Sequence, residues 1–160
     1  MASPQPLSSA EEDLWRALMR IVKVLPRNLD ADLLQGARVS AGEYTTLMHL
    51  SEAPKRELRM SDLASATGYS ASRMTRLVDG LQKRSLVTKV ASASDARGNV
   101  ARLTPKGMTT LKAAWPIHLN SVRTRFLDYL DPAACRRVAD ALLDVADQLD
   151  DSPPPTAPTK

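Results

Sequence analysis

Ser72, Arg73, Thr75 and Arg76 fall within five consecutive residues and bring two guanidinium groups and two hydroxyls together. That set does not break covalent bonds. Guanidinium forks and hydroxyls bind phosphate oxygens and the edges of bases, which are planar and rich in acceptors. Met74, Leu77, Val78 and Leu81 recur between them at helical spacing, so the stretch from Ser70 to Ser85 is predicted to be a helix. One side of it is apolar. Lys83 and Arg84 late in this helix are further candidates for phosphate contact. Arg97, two residues after Asp95, adds a second cationic point downstream. No catalytic set can be assembled. His49 and His118 are far apart and have no metal-ligand neighbour at useful spacing, and phosphate-cradling Gly-rich loops are absent. No catalytic residue, metal site or cofactor is therefore expected, and the chain reads as a binding protein rather than an enzyme.

Elements that could present these residues flank them on both sides. Ser61 to Gly68 reads as a short helix, with Ser61 as N-cap and Gly68 as a left-handed terminator. Ser70 or Ser72 can cap the basic helix after a tight turn, which makes a helix-turn-helix. Two β-branched runs follow, Leu86–Val90 and Val100–Thr104, separated by Ser92, Ser94, Asp95, Gly98 and Asn99. They form a β-hairpin, a wing. From Tyr69 to Lys106 eight cations face only Asp79 and Asp95, and most of the net charge of +4 traces to this region. A positive surface with a protruding helix and an arginine-bearing hairpin suits a polyanionic duplex.

The remaining chain reads as helical support. Ser9-Ala10-Glu11-Glu12 fits a capping box, and Leu14, Trp15, Leu18, Ile21, Val22 and Leu25 trace an amphipathic helix up to Pro26. A second box, Ser40-Ala41-Gly42-Glu43, opens a helix with Tyr44, Leu47 and Met48 inward, closed by Pro54. Leu58 to Met60 could add a third strand to the wing. Thr104-Pro105 starts a long helix with Met108, Leu111, Trp115, Leu119, Val122, Phe126 and Tyr129 inward, bent at Pro116. Asp131-Pro132 starts the last helix, whose Cys135, Val138, Leu142, Val145 and Leu149 make a narrow seam for another helix. Cys135 reads as a small buried hydrophobe. The expected class is mainly α with a small β-wing. A winged helix-turn-helix lobe spans 40–104, with helical dimerisation regions at 9–30 and 105–150. Residues 1–8 and the Pro-rich 151–160 read as a flexible start and a disordered tail.

Composition narrows the class further. The 160 residues are 43% apolar, ordinary for a globular protein, but only 4% aromatic, which argues against single-strand binding by base stacking. One cysteine leaves no disulfide framework. No apolar run approaches the roughly 18–20 residues that cross a bilayer, and the N-terminus has no secretion-signal pattern, so a cytoplasmic location and no membrane partner are expected.

The order of elements resembles the MarR family of bacterial winged-helix regulators over about Ser9 to Leu149. Two segments carry the resemblance. One is Ser72-Arg73-Met74-Thr75-Arg76-Leu77-Val78-Asp79-Gly80-Leu81 followed by Leu86-Val87. The other is Asp95-Ala96-Arg97-Gly98 followed by Leu103-Thr104-Pro105-Lys106-Gly107. The resemblance implies a homodimer on a pseudo-palindromic operator, one recognition helix in each major groove and half-sites about 10 base pairs apart. It implies a transcriptional regulator, a repressor by expectation. Ser61, Ser70, Ser72, Arg73, Thr75, Arg76 and Lys83 would lie against DNA. Arg97 would enter the minor groove with Asp95 holding its guanidinium. The family's small aromatic or phenolic effectors imply a cleft, for which Trp15, Tyr44, Met48, Trp115 and His118 are the candidates. Two departures stand out. Ser85 occupies a position where the family usually has glycine, and Ala91–Ser94 is less charged than usual, leaving Arg97 nearly alone at the tip. A rival reading is a winged-helix protein-interaction module whose basic face binds an acidic partner.

Overall fold

The computed structural model describes residues 5–91 and 99–151. Its elements are α1 (Ser9–Ala37), α2 (Ala41–Glu52), a 3-10 turn (Pro54–Arg56), β1 (Glu57–Arg59), α3 (Met60–Thr67) and α4 (Ala71–Lys83). They continue with β2 (Val87–Ala91), β3 (Asn99–Leu103), α5 (Pro105–Arg125), a second 3-10 turn (Leu127–Tyr129) and α6 (Pro132–Asp151). The chain divides into two compact units, residues 1–121 and 122–160. The expected class, mainly helical with a small winged sheet, is what the structure shows.

In the first unit, α2 opens on the capping box read from the sequence. The Ser40 hydroxyl accepts from the Glu43 N–H at 3.1 Å, and the Glu43 carboxylate accepts from the Ser40 N–H at 2.9 Å. The first capping box sits one residue earlier than expected, with Ser8 as N-cap and Glu11 closing it. Those bonds to Ser8 hold the Glu11 carboxyl below its ordinary value. Helix α1 also runs past Pro26 to Ala37, eleven residues beyond the expected end. A proline removes only one backbone bond, and the downstream turns are held by Leu33, which is fully buried.

The sheet order is β1-β3-β2, antiparallel throughout, with Leu58 opposite Ala101 and Lys89 opposite Ala101 from the other side. The third strand is thus present at Glu57–Arg59, and Met60 already belongs to α3. That direct passage from strand to helix makes Arg59, not Ser61, the N-cap, and the cap has no side-chain bond. Ser61 instead donates its hydroxyl to the Asp62 carboxylate at 3.0 Å.

The core gathers Leu33, Leu47, Leu50, Leu63, Met74, Val78, Leu81, Leu86 and Val87, all almost fully buried. Burial at this scale is the main favourable contribution to folding. On α5 the buried face differs from the expected one. Gly107, Leu111, Ala114 and Ser121 are buried, whereas Trp115 and Leu119 are exposed. Gly107, Ala114 and Ser121 are seven residues apart, so one stripe of small side chains lies inward and lets α5 approach its neighbours closely. Ser121 donates its hydroxyl to the Asp32 carboxylate, a polar tie from α5 to α1.

In the second unit, Asp131 caps α6 as expected, accepting from the N–H groups of Ala133 and Ala134 at 2.9 Å each. Tyr129 is exposed, contrary to its expected inward position, because it lies in the 3-10 turn after α5 ends. Cys135 is partly rather than fully buried. Val138, Leu142, Val145 and Leu149 are exposed on the single chain.

Candidate nucleic-acid interface

Helix α4 is strongly two-sided. Met74, Val78 and Leu81 are fully buried and Leu77 partly so, while Ser72, Arg73, Thr75, Arg76 and Lys83 are exposed. Gly68 ends α3 in the left-handed region (φ 67°), and its N–H reaches the carbonyls of α3. Two residues later Ser70 becomes the N-cap of α4. Its hydroxyl accepts from the Arg73 N–H at 3.3 Å and lies 3.2 Å from the Ser72 hydroxyl. Of the two capping candidates, Ser70 is the one used, which leaves Ser72 on the exposed first turn.

Two of the exposed side chains have a local constraint. The Arg73 guanidinium lies 4.0 Å over the centre of the Tyr69 ring, a cation–π contact that limits its rotamers. The Thr75 hydroxyl donates to the Ala71 carbonyl at 2.9 Å. Arg73, Arg76, Leu77 and Gly80 form one wall of an open groove of about 650 Å³, and Ser40 and Glu43 at the start of α2 form the other. Ser61 is exposed at the start of α3. Asp95 and Arg97 lie outside the described residues.

Several cations counted from the sequence are matched by carboxylates. Lys89 bonds Asp79, and Arg102 bonds Glu57 directly across the β1–β3 ladder at 2.7 Å. Arg84 donates to both Glu43 oxygens at 3.1 and 3.2 Å and to the Arg38 carbonyl at 2.8 Å. The residue suggested for a phosphate contact thus forms a bridge inside the protein. No sequence rule finds these pairs, because the partners are far apart along the chain.

The turn after α4 keeps the left-handed conformation with serine in it: Ser85 has φ 60°. Thr104 donates its hydroxyl to the Ser85 and Leu86 carbonyls at 2.9 and 3.0 Å and accepts from the Gly107 N–H at 2.9 Å. Thr104 thus caps α5, as read from Thr104-Pro105, and joins that cap to the end of the recognition region.

The five residues suggested for an effector cleft differ in their surroundings. Tyr44 and His118 touch, with ring centres 4.5 Å apart and planes inclined at 33°. The Tyr44 hydroxyl and His118 Nδ1 are buried and have no hydrogen-bond partner. Burial raises the Tyr44 hydroxyl above its ordinary value, with the Glu52 charge adding to it, and lowers the His118 ring below its ordinary value. Met48 packs partly buried against the core. Trp15 and Trp115 are 55% and 53% exposed. Among the described residues, no helix is long and apolar enough to cross a membrane.

Known proteins share this arrangement. The family model described as MarR family matches residues 39–98. The HTH-type transcriptional repressor YetL of Bacillus subtilis is 27% identical over 96 residues, covering 60% of this chain and 58% of that protein. The chain thus spans less than two thirds of that curated relative. Two solved structures from Streptomyces coelicolor extend over nearly the whole chain. Sco3205, a MarR family transcriptional regulator crystallised in complex with DNA, superposes with a TM-score of 0.87 at 31% identity, covering 94% of each chain. AbsC, also a MarR family transcriptional regulator, superposes with a TM-score of 0.84 at 33% identity, covering 93% of this chain and all of that one.

Proposed function

The chain belongs to the MarR family of DNA-binding transcriptional regulators, and from that premise we propose that it is a homodimeric repressor of a pseudo-palindromic operator. The family consists of regulators rather than enzymes, in keeping with the absence of a catalytic set in the sequence. The observation that carries the reading is the two-sided α4. Met74, Val78 and Leu81 of its apolar stripe are fully buried while Ser72, Arg73, Thr75 and Arg76 are presented together. In the major groove the two arginines can take up guanine edges or phosphates, and the hydroxyls can bond either. Ser61, Ser70 and Lys83 would contact the flanking backbone. Arg97, braced by Asp95, would reach the adjacent minor groove. Sco3205 was crystallised with DNA and YetL is a repressor, which supports carrying both properties to this chain.

The dimer is supported by apolar surface that a soluble single chain would not leave uncovered. On α1, Leu14, Trp15 and Val22 are 70%, 55% and 58% exposed, and on α6 Leu143, Val145 and Leu149 are similarly open. That distribution supports assigning 9–30 and 105–150 to dimerisation, and the exposed basic face of α4 supports assigning 40–104 to DNA binding. The Tyr44–His118 contact supports an effector reading, since a small aromatic or phenolic molecule could satisfy the buried hydroxyl and Nδ1.

Selection of bound sequences from random duplex DNA, with the oligomeric state measured by sedimentation, tests the proposal. A palindromic site with half-sites about 10 base pairs apart is expected. A monomer at micromolar concentration, or no preference among duplexes, would overturn it. Binding confined to an acidic protein partner would favour the interaction-module reading instead.

A further inference from the structure

The end of the recognition helix is held by bonds that neither its apolar stripe nor its DNA-facing residues require. Apolar packing of Met74, Val78 and Leu81 keeps α4 on the core but is non-directional, so it leaves the helix free to roll or slide by a fraction of a turn. Directional bonds remove that freedom. Arg84, the residue that terminates α4, supplies them: one guanidinium nitrogen meets both Glu43 oxygens, and the other meets the carbonyl of Arg38.

Both anchors are themselves fixed. Glu43 is held by its bond to the Ser40 N–H at 2.9 Å. Arg38 ends α1 in the left-handed region (φ 55°). Between them, the Ala41 N–H donates to the Asp30 carboxylate at 2.7 Å, locking the corner where α1 turns into α2. From the other side, Lys106 donates to the Arg84 carbonyl at 2.9 Å. Arg84 therefore joins the last turn of α1, the first turn of α2, the end of α4 and the start of α5.

We propose that Arg84 is a positioning residue for operator recognition, setting the angle at which Ser72, Arg73, Thr75 and Arg76 meet the duplex without touching DNA itself. Only the forked guanidinium reaches a carboxylate and a carbonyl at once, so lysine cannot replace it. The inference rests on the DNA-binding reading above. It separates from a phosphate contact because a phosphate contact strengthens binding to every sequence and contributes to the salt slope, whereas a positioning residue affects the chosen sequence alone.

The test uses the full-length protein and two labelled duplexes, one selected by the wild type from a random pool and one scrambled version of it. Arg84→Ala and Arg84→Lys should each weaken binding to the selected duplex by about tenfold or more. Binding to the scrambled duplex should stay within about twofold, with an unchanged salt slope. Glu43→Gln keeps an acceptor for the Ser40 N–H and should reproduce the loss. Combining it with Arg84→Ala should add little, as expected of two residues in one link. Equal weakening on both duplexes, with the dimer's salt slope lower by nearly two (one contact in each half-site), would make Arg84 a phosphate contact and overturn the proposal. No loss on either duplex, or full rescue by lysine, would overturn it as well. Should Arg84→Ala fail to fold, Glu43→Gln and Arg84→Lys decide the matter. A wild type with no preference between the duplexes would sink the operator reading first, and this inference with it.

Discussion

A Cβ placed on Gly107 would lie 2.1 Å from the carbonyl oxygen of Leu86, closer than any real contact allows. The residue leading into β2 and the first turn of α5 thus meet backbone to backbone, and the same Leu86 carbonyl accepts from the Thr104 hydroxyl and N–H. Gly107→Ala must push α5 away from Leu86. Overpacking of this severity costs about 3 kcal/mol or more, which for a chain of this length lowers Tm by roughly 6–12 °C. Thermal melts check this, and a shift under about 2 °C would show that α5 can move aside freely.

Ser85 makes the opposite prediction. It holds φ 60° with a Cβ, a conformation that costs an L-residue roughly 1–2 kcal/mol. Glycine removes that cost but loses more freedom on folding. Ser85→Gly should therefore stabilise by about 0.5–1 kcal/mol in urea titrations, with an unchanged m-value. The Ser85 carbonyl still accepts from Thr104 in the variant, so DNA affinity should not change.

The elements legible in the sequence are those determined by neighbours along the chain. The α4 stripe, the Ser40–Glu43 box, the Thr104 and Asp131 caps and the left-handed turn at Gly68 all depend on residues within a few positions of each other. The Glu43–Arg84, Glu57–Arg102 and Asp32–Ser121 pairs are 41, 45 and 89 residues apart, and nothing local announces them. Arg84, Lys89 and Arg102 among the cations around α4 carry carboxylate partners that a count of charges does not reveal. The inward face of α5 differs from the expected one at Trp115 and Leu119 for a related reason. Large side chains such as Trp115 and Leu119 dominate a hydrophobic pattern, yet the inward stripe is Gly107, Ala114 and Ser121, whose small size permits close packing.

His118 gives the stability a pH dependence with a definite sign. Burial lowers its pKa from the ordinary 6.5, so the folded protein binds fewer protons than the unfolded chain between that value and the lowered one. The stability contributed by the neutral ring is complete above about pH 6.5 and is lost as pH falls through the folded value. His118→Phe keeps a ring against Tyr44 but cannot titrate. Unfolding free energies of the two proteins should diverge as pH drops from 7.5 to 5.5, with the wild type losing more. Parallel pH profiles would show that His118 is not the titrating group.

The pairing of charges around the wing distinguishes cations that face a carboxylate from cations presented on α4. Arg102 is about half exposed and would count as a phosphate contact on charge alone, yet its guanidinium faces Glu57 across the ladder. Arg76 stands on the exposed face of α4 beside the groove. Each phosphate neutralised on B-form DNA adds about 0.9 to the slope of log affinity against log salt. If the wild type binds as the proposed dimer with several such contacts, it should lose about 10³-fold in affinity or more between 50 and 200 mM salt. If Arg76 meets a phosphate in each half-site, Arg76→Ala should reduce the dimer's slope by nearly two. If it reads a base, the slope should hold and selectivity at one position should relax. Arg102→Ala should leave both slope and selectivity unchanged and lower stability by no more than about 1 kcal/mol, the usual limit for an exposed ion pair. A slope that falls with Arg102→Ala as steeply as with Arg76→Ala would mean that DNA draws the guanidinium away from Glu57, and that the wing base belongs to the interface.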